Sequence, residues 1–189
     1  MKQETLIAGF GGQGILLMGR LLAEAAMNEG YHATWFPSYG PEMRGGTANC
    51  TVVFSDEEIG SPIAGHYDVV IAMNQPSLER FGPLVRAGGL LLINASMIPV
   101  AVDRADIDVL RIPTLEIAIQ TGNERVSNVV MLGALLAARP APTSDAYESA
   151  IESVMGEKKP ELITANITAL HAGRKAAERP CLTTVKGAP

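Results

Sequence analysis

The stretch LIAGFGGQGILLMGRLL, residues 6–22, runs from an apolar strand through a glycine turn into a helical pattern. TLIAGF (5–10) has the unbroken apolar character of a strand buried on both faces. Ile15, Leu16, Met18, Leu21, Leu22, Ala25 and Ala26 then recur at helical spacing until Gly30 stops the helix. Between them Gly9, Gly11 and Gly14 satisfy G-x-G-x-x-G in the strand–turn–helix context that this pattern requires. Glycines allow the tight turn and a close approach to the backbone. The first helical amides then face outward as anion donors.

Outward from this turn, strands and helices alternate. YHATWF (31–36) reads as a second strand, TANCTVVF (47–54) as a third, DVVIAMN (68–74) as a fourth, GGLLLINAS (88–96) as a fifth and VLRIP (109–113) as a last. QPSLERFGPLV (75–85) reads as a short helix with Pro76 in its first turn. From Thr114 the pattern turns helical: 115–120, 123–138, 144–156 capped by Ser144 and Asp145, and 158–178. Apolar strands alternating with helices predict an α/β domain: a mostly parallel, Rossmann-like sheet flanked by helices, with a helical C-terminal third. One domain over 1–178 is expected, followed by a mobile or partner-docked tail, 179–189.

Composition narrows the function classes. Hydrophobic residues make up 47% of the 189 and charged residues 19%, enough for a sizeable core. A net charge of −5 does not describe a nucleic-acid-binding surface. The start MKQETLIAGF lacks the layout of a signal peptide, and no apolar run reaches the roughly 18 residues of a membrane helix, so a cytoplasmic location is expected, without membrane contact. Two cysteines, Cys50 and Cys181, fall short of the about four that an iron–sulfur cluster needs. His32, His66 and His171 have no metal-like spacing, and the methionines scatter through apolar stretches as packing residues.

A dinucleotide site would need an acidic residue about 20 positions after the turn, at the end of the second strand. That strand ends in Trp35, Phe36 and Pro37. Two other uses of the turn stay open: plain strand–helix packing, or contact with a ligand or a partner's backbone. Gly12 and Gln13 favour contact, since packing needs neither an extra glycine nor a long amide there.

The second distinctive stretch is SYGPEMRGGTANC, 38–50. Tyr39, Glu42 and Arg44 stand among Gly40, Pro41, Gly45 and Gly46, giving a shaped loop that presents one acid and one base. In a parallel sheet it would gather at the carboxyl edge beside the glycine turn. Arg44 could fork onto a phosphate or carboxylate, or pair with Glu42.

Taken together, IAGFGGQGILLMGRLLAEAA (7–26), FPSYGPEMRGGTANC (36–50), SDEEIGSP (55–62), DVVIAMNQPSLERF (68–81), PLVRAGGLLLIN (83–94) and NERVSNVVMLGALL (123–136) resemble the gamma subunit of the 2-oxoacid:ferredoxin oxidoreductases. The wording PSYGPEMRGG leans toward the 2-oxoglutarate and branched-chain types, in a family that includes the pyruvate enzymes. The resemblance implies an accessory subunit of an enzyme that converts a 2-oxoacid and coenzyme A to acyl-CoA, carbon dioxide and reduced ferredoxin. It implies alpha, beta and ferredoxin-like delta partner subunits. These would carry thiamine diphosphate, Mg²⁺ and the iron–sulfur clusters, with coenzyme A held at a subunit interface. Consistently, the chain has no GDG-plus-asparagine signature for thiamine diphosphate.

On this basis the turn and the Tyr39–Gly46 loop form a wall of the coenzyme A channel. The amides of Gly12, Gln13 and Gly14 meet anionic oxygen. Arg44 meets a phosphate or an acid across the interface, and Ser38 and Asn74, at strand ends, add neutral hydrogen bonds. As a pure interaction module, the loop would instead anchor a partner through Tyr39, Met43 and Arg44, residue types common at hot spots. A homodimer of the isolated chain fits its apolar loops. The alternative from a different class is a free-standing, nucleotide-binding Rossmann-like protein.

Overall fold

A computed structural model describes residues 1–39, 46–139, 141–156 and 160–178, with Tyr39 described in its backbone only. Gly40, Glu42, Arg44 and Gly45 of the second loop, the tail 179–189 and Cys181 within it lie outside the described residues. Six strands and six α-helices follow in the order β1 (Lys2–Phe10), α1 (Ile15–Asn28), β2 (His32–Tyr39), β3 (Thr47–Ser55), β4 (Tyr67–Ala72), α2 (Gln75–Phe81), β5 (Val85–Asn94), β6 (Asp108–Ile112), α3 (Thr114–Gln120), α4 (Ser127–Ala138), α5 (Ser144–Met155) and α6 (Pro160–Ala177).

The strands form one sheet in the order β2-β3-β1-β4-β5-β6. The α/β class is as the sequence predicts, but the sheet is mixed. β1, β4, β5 and β6 are parallel neighbours, whereas β3 runs antiparallel to both β1 and β2. The reason is loop length. Only seven residues separate Tyr39 from Thr47, and a parallel return needs a crossover of about a dozen or more. The chain therefore folds back as a hairpin, and β3 takes the place beside β1 that a Rossmann unit gives to its second strand.

Several boundaries also shift, among them the end of α2 at Phe81 and the start of β5 at Val85. β2 continues through Pro37 to Tyr39, because it is an edge strand, where a missing N–H is tolerated. The helix expected to be capped by Ser144 and Asp145 is capped by Thr143, whose hydroxyl accepts from the Ala146 amide at 3.4 Å.

Period-two alternation splits each strand between two buried faces. Ile7, Val52, Phe54, Ile71 and Leu92 pack beneath α1 and the C-terminal helices, forming the larger core. Leu6, Val70, Leu91 and Ile93 pack on the opposite side against Leu78 of α2 and Ile98. Double coverage accounts for the strands' lack of polar alternation. Helix α4 is buried almost all round, and it meets α6 through glycines. A Cβ on Gly133 would lie 2.0 Å from the Leu170 carbonyl oxygen, and one on Gly173 would lie 1.9 Å from that of Val130. No helix among the described residues is long and apolar enough to cross a membrane.

Candidate functional site

The β1–α1 turn holds its shape by backbone and side-chain bonds together. Gly14 has a φ of 71°, a left-handed conformation, and a Cβ there would strike Asn128 Nδ2 at 2.4 Å. Gly12, with φ 97°, faces open space. At Gly9 a Cβ would meet Ile15, Gln13 and Met73 within 3.0 Å. The Gly11 amide donates to the Gly46 carbonyl at 2.9 Å, and Phe10 pairs with Thr47. The glycine turn and the foot of the second loop thus adjoin, as expected, although a hairpin rather than a parallel return brings them together.

Gln13 points into the protein as much as out of it. Its Oε1 accepts from the Phe10 amide at 2.7 Å and from Asn74 Nδ2 at 3.3 Å, and its Nε2 donates to the Met73 carbonyl at 3.2 Å. Asn74, buried, caps α2 by accepting from the Ser77 amide at 2.9 Å. Asn94 donates to the same Met73 carbonyl at 3.3 Å, while its Oδ1 accepts from Thr114 Oγ1 at 2.8 Å and from the Ser96 amide at 3.2 Å. These uncharged groups stitch together the carboxyl ends of β1, β4 and β5 and the start of α3. Ser38 is exposed on β2, away from this network.

The Gln13 amide is itself turned back to the Phe10 carbonyl at 3.1 Å. The Gly12 and Gly14 amides have no partner among the described residues. They sit at the N-terminus of α1, where unpaired donors and the helix dipole favour an anion. Beside them opens a cavity of about 440 Å³ lined by Gly12, Gln13, Leu115, Glu124, Arg125 and Ser127. A single 3-10 turn, Glu124–Val126, leads into α4, and Asn123 caps it by accepting from the Arg125 amide at 3.1 Å. Asn128, one residue into α4, donates to the Gly14 carbonyl at 3.4 Å and locks the two segments together. Arg125 is exposed and forms no ion pair among the described residues, so it can face an anion in the cavity.

Sequence reasoning passed over Arg125, Ser127, Asn128 and the Asn94–Thr114 pair as site residues. The local cue was there: Asn123 and Arg125 stand immediately ahead of an apolar helix, the layout of a helix entrance. What pairs them with Gly14 is tertiary, and no local pattern encodes it. Outside the cavity lining, the Ser96 hydroxyl donates to Glu116 of α3, and that bond with the residue's own amide holds the Glu116 carboxyl below its usual range.

Other chemistry-bearing groups stand apart. Burial pushes the Cys50 thiol up to about 12, against weaker opposing bonds from Trp35 and Gly19, which leaves an inert thiol. Among the described residues no three or more His, Cys, Asp and Glu side chains are placed to hold a metal ion. The dinucleotide alternative loses its geometry. With β3 between β2 and β1, the end of the second strand is displaced from the place beside β1 that a Rossmann ribose site uses.

A mixed six-stranded sheet covered by helices, with a glycine turn feeding the N-terminus of α1, places the chain in the open-sheet α/β class. The chain belongs to the pyruvate ferredoxin/flavodoxin oxidoreductase family, whose model matches residues 4–176. It is 41% identical over 172 residues to the ketoisovalerate oxidoreductase subunit VorA of Methanothermobacter thermautotrophicus, covering 90% of this chain but only 35% of VorA, so it spans about a third of that relative's length. It is 37% identical over 182 residues to the 2-oxoglutarate synthase subunit KorC of Methanothermobacter marburgensis, covering 93% of this chain and 96% of KorC. The gamma subunit of a keto/oxoacid ferredoxin oxidoreductase from Geobacter sulfurreducens superposes with a TM-score of 0.78 at 30% identity, over 93% of this chain and 98% of that one. The 2-oxoglutarate:ferredoxin oxidoreductase of Magnetococcus marinus, solved with 2-oxoglutarate, coenzyme A and succinyl-CoA bound, shares the fold with a TM-score of 0.83 at 23% identity, over 93% of this chain and 31% of that one.

Proposed function

We propose that this chain is the gamma-type subunit of a 2-oxoacid:ferredoxin oxidoreductase and supplies one wall of its coenzyme A channel. The enzyme turns a 2-oxoacid and coenzyme A into acyl-CoA and carbon dioxide, and two electrons leave to ferredoxin. Alpha, beta and ferredoxin-like delta subunits complete it. Thiamine diphosphate with Mg²⁺ and the iron–sulfur clusters belong to those partners, since this chain carries two cysteines and no thiamine signature.

The observation that supports a coenzyme role is that Gly12, whose amide has no partner among the described residues, and Arg125 line the same cavity of about 440 Å³, with the Gly14 amide further along the turn. Coenzyme A is polyanionic at its nucleotide end. Amides and a guanidinium bind such oxygens without changing protonation state, and the network behind Gln13 keeps the turn fixed while they do. The chain's part is to hold and orient the coenzyme while its thiol reaches chemistry elsewhere. Ser38 at the end of β2 and Gly46, bonded through its carbonyl to the Gly11 amide, extend this wall. The relatives' names give a ketoisovalerate and a 2-oxoglutarate enzyme, and selection of the 2-oxoacid side chain falls to the thiamine-bearing subunits.

The test is steady-state kinetics of the assembled complex with Arg125→Ala. KM for coenzyme A should rise about tenfold or more, the loss of one charge-assisted contact, with kcat and KM for the 2-oxoacid nearly unchanged. An unaltered KM for coenzyme A in an intact complex would overturn this assignment.

A further inference from the structure

Helix α4 buries an unbroken run from Asn128 to Leu136, and Asn128 is the one residue of that run with a polar side chain. It is 4% exposed, and among the described residues its side chain makes a single hydrogen bond, at 3.4 Å to the Gly14 carbonyl. A buried amide needs several good partners to offset the water it gives up, and one bond at the long end of the range returns little. The Gly14 carbonyl does not depend on that bond either. It already accepts from the Met18 amide at 3.0 Å, the first bond of α1. Stability therefore does not account for an amide at this place.

What the bond supplies is alignment. Among the described residues it is the only hydrogen bond between the glycine turn, 9–14, and the segment 123–128. The contact is also tight. A Cβ on Gly14 would come within 2.4 Å of Asn128 Nδ2 and 2.8 Å of its Cγ, so the amide fills the space that a side chain on Gly14 would take. The two backbones are held at one separation.

From Asn128 back to Arg125 the chain is stiff. The Ser127 amide closes onto the Glu124 carbonyl, the Val126 amide onto that of Asn123 at 3.3 Å, and the Val126 side chain is buried. A displacement of Asn128 is thus carried to the backbone of Arg125 through hydrogen-bonded turns. On the other side of the bond, Gly12 lies two residues before Gly14. Gly12 and Arg125 line the cavity, and Asn128 stands behind it.

We infer that Asn128 is a positioning residue: through the Gly14 carbonyl it sets the span between the Gly12 amide and Arg125, and with it the site's affinity for coenzyme A, without touching the coenzyme. The inference rests on the coenzyme reading above and adds the residue on which that site's geometry depends. Two donors on separate segments act together on an anion only when both come within hydrogen-bond range of it. Arg125 is exposed on a long, rotamer-rich side chain, so the placement of its backbone decides which positions the guanidinium reaches.

The test is steady-state kinetics of the assembled complex with Asn128→Leu, Arg125→Ala and the double variant, with a melting temperature for each. Leucine keeps the volume and removes the amide. Asn128→Leu should melt within about 2 °C of wild type or above it, since no buried group loses its last partner. Its KM for coenzyme A should rise about fivefold, with kcat and the KM for the 2-oxoacid within about twofold of wild type. In the Arg125→Ala background the same substitution should add less than about twofold, because the group it positions is gone. Asn128→Ala, which adds no volume and suits a helix, should give the same split. A wild-type KM for coenzyme A in folded Asn128→Leu, beside a raised one in Arg125→Ala, would overturn the positioning role and leave the coenzyme reading standing. Effects that multiply in the double variant would overturn action through Arg125. A joint fall in kcat and melting temperature would overturn it too, in favour of plain structural support. If Arg125→Ala alone left the KM untouched, the coenzyme reading itself would fall and take this inference with it.

Discussion

The two ends of the parallel half of the sheet are tied by different chemistry. At the amino end, β1, β4 and β5 are joined by charge. Glu4 pairs with Lys2 at 2.8 Å and with Arg86, and Arg86 reaches Asp68, whose other oxygen accepts from the Glu4 amide at 2.8 Å. At the carboxyl end the same strands are joined by amides and a hydroxyl: Gln13, Asn74, Asn94 and Thr114. Ion pairs weaken with salt and titrate, and neutral hydrogen bonds do neither. The end that faces the cavity is thus held without spending charge, which leaves Arg125 and the Gly12 and Gly14 amides for an incoming anion. The opposite end carries the charge, in Glu4, Asp68 and Arg86.

The largest expected effect lies at the neutral end. Asn94→Leu keeps the volume but strips partners from the fully buried Thr114 hydroxyl, the Ser96 amide and the Met73 carbonyl. Stability should fall by about 2–4 kcal/mol, since each buried group left unpaired costs roughly 1–3 and some will relax toward water. Urea unfolding at low and high salt measures it, and the loss should be the same in both. A cost below about 0.5 kcal/mol, or one that halves in salt, would show that this network does not hold the carboxyl edge.

Arg86→Ala should cost less, about 1–2 kcal/mol. Glu4 is buried with a side-chain exposure of 8%, and losing its cation leaves a carboxylate poorly solvated. But Arg86 is 42% exposed, so solvent screens part of the pair, and Lys2 stays behind as a partial replacement. Here salt should matter: in about 1 M NaCl the gap between variant and wild type should shrink visibly. Equal salt dependence at both ends would erase the contrast.

Which parts of this could be read from the sequence follows from the range of each interaction. The glycine turn, α1 and the apolar strands are local patterns, and they were legible to within a few residues. The exchange of β3 for β2 beside β1 was not, because strand runs carry no direction. The cue was the short span from Tyr39 to Thr47, which demands a hairpin. Gln13 stood out as a residue that packing did not need, yet part of its use is internal, bonding to Asn74 and Met73 some sixty positions away. Arg125 and Asn128 were seen only as part of a family-like stretch, since the bond from Asn128 to Gly14 spans more than a hundred residues. Arg44, the most tempting cation in the sequence, lies outside the described residues.

The smallest effect sharpens the comparison by pH. Burial of Glu4 pushes its carboxyl up, but hydrogen bonds from Lys2 and Arg86 and their charges more than offset this, so its affinity for protons in the folded protein is below the ordinary value. A group lowered on folding stabilises the protein fully above its unfolded pKa, about 4.3 for a glutamate, and that contribution fades as pH falls through the lower folded value. Between pH 7 and 5 this group should therefore leave stability flat, and below about pH 4 it should withdraw its share. Glu4→Gln removes the titration, so the variant's stability curve should converge on the wild type's as acid is added. Asn94→Leu, by contrast, should run parallel to wild type throughout, because neither Asn94 nor the Met73, Ser96 and Thr114 groups it bonds take up a proton. A Glu4→Gln curve that stays parallel into acid would mean that the ion pairs at the amino end are not what joins β1 to β4 and β5.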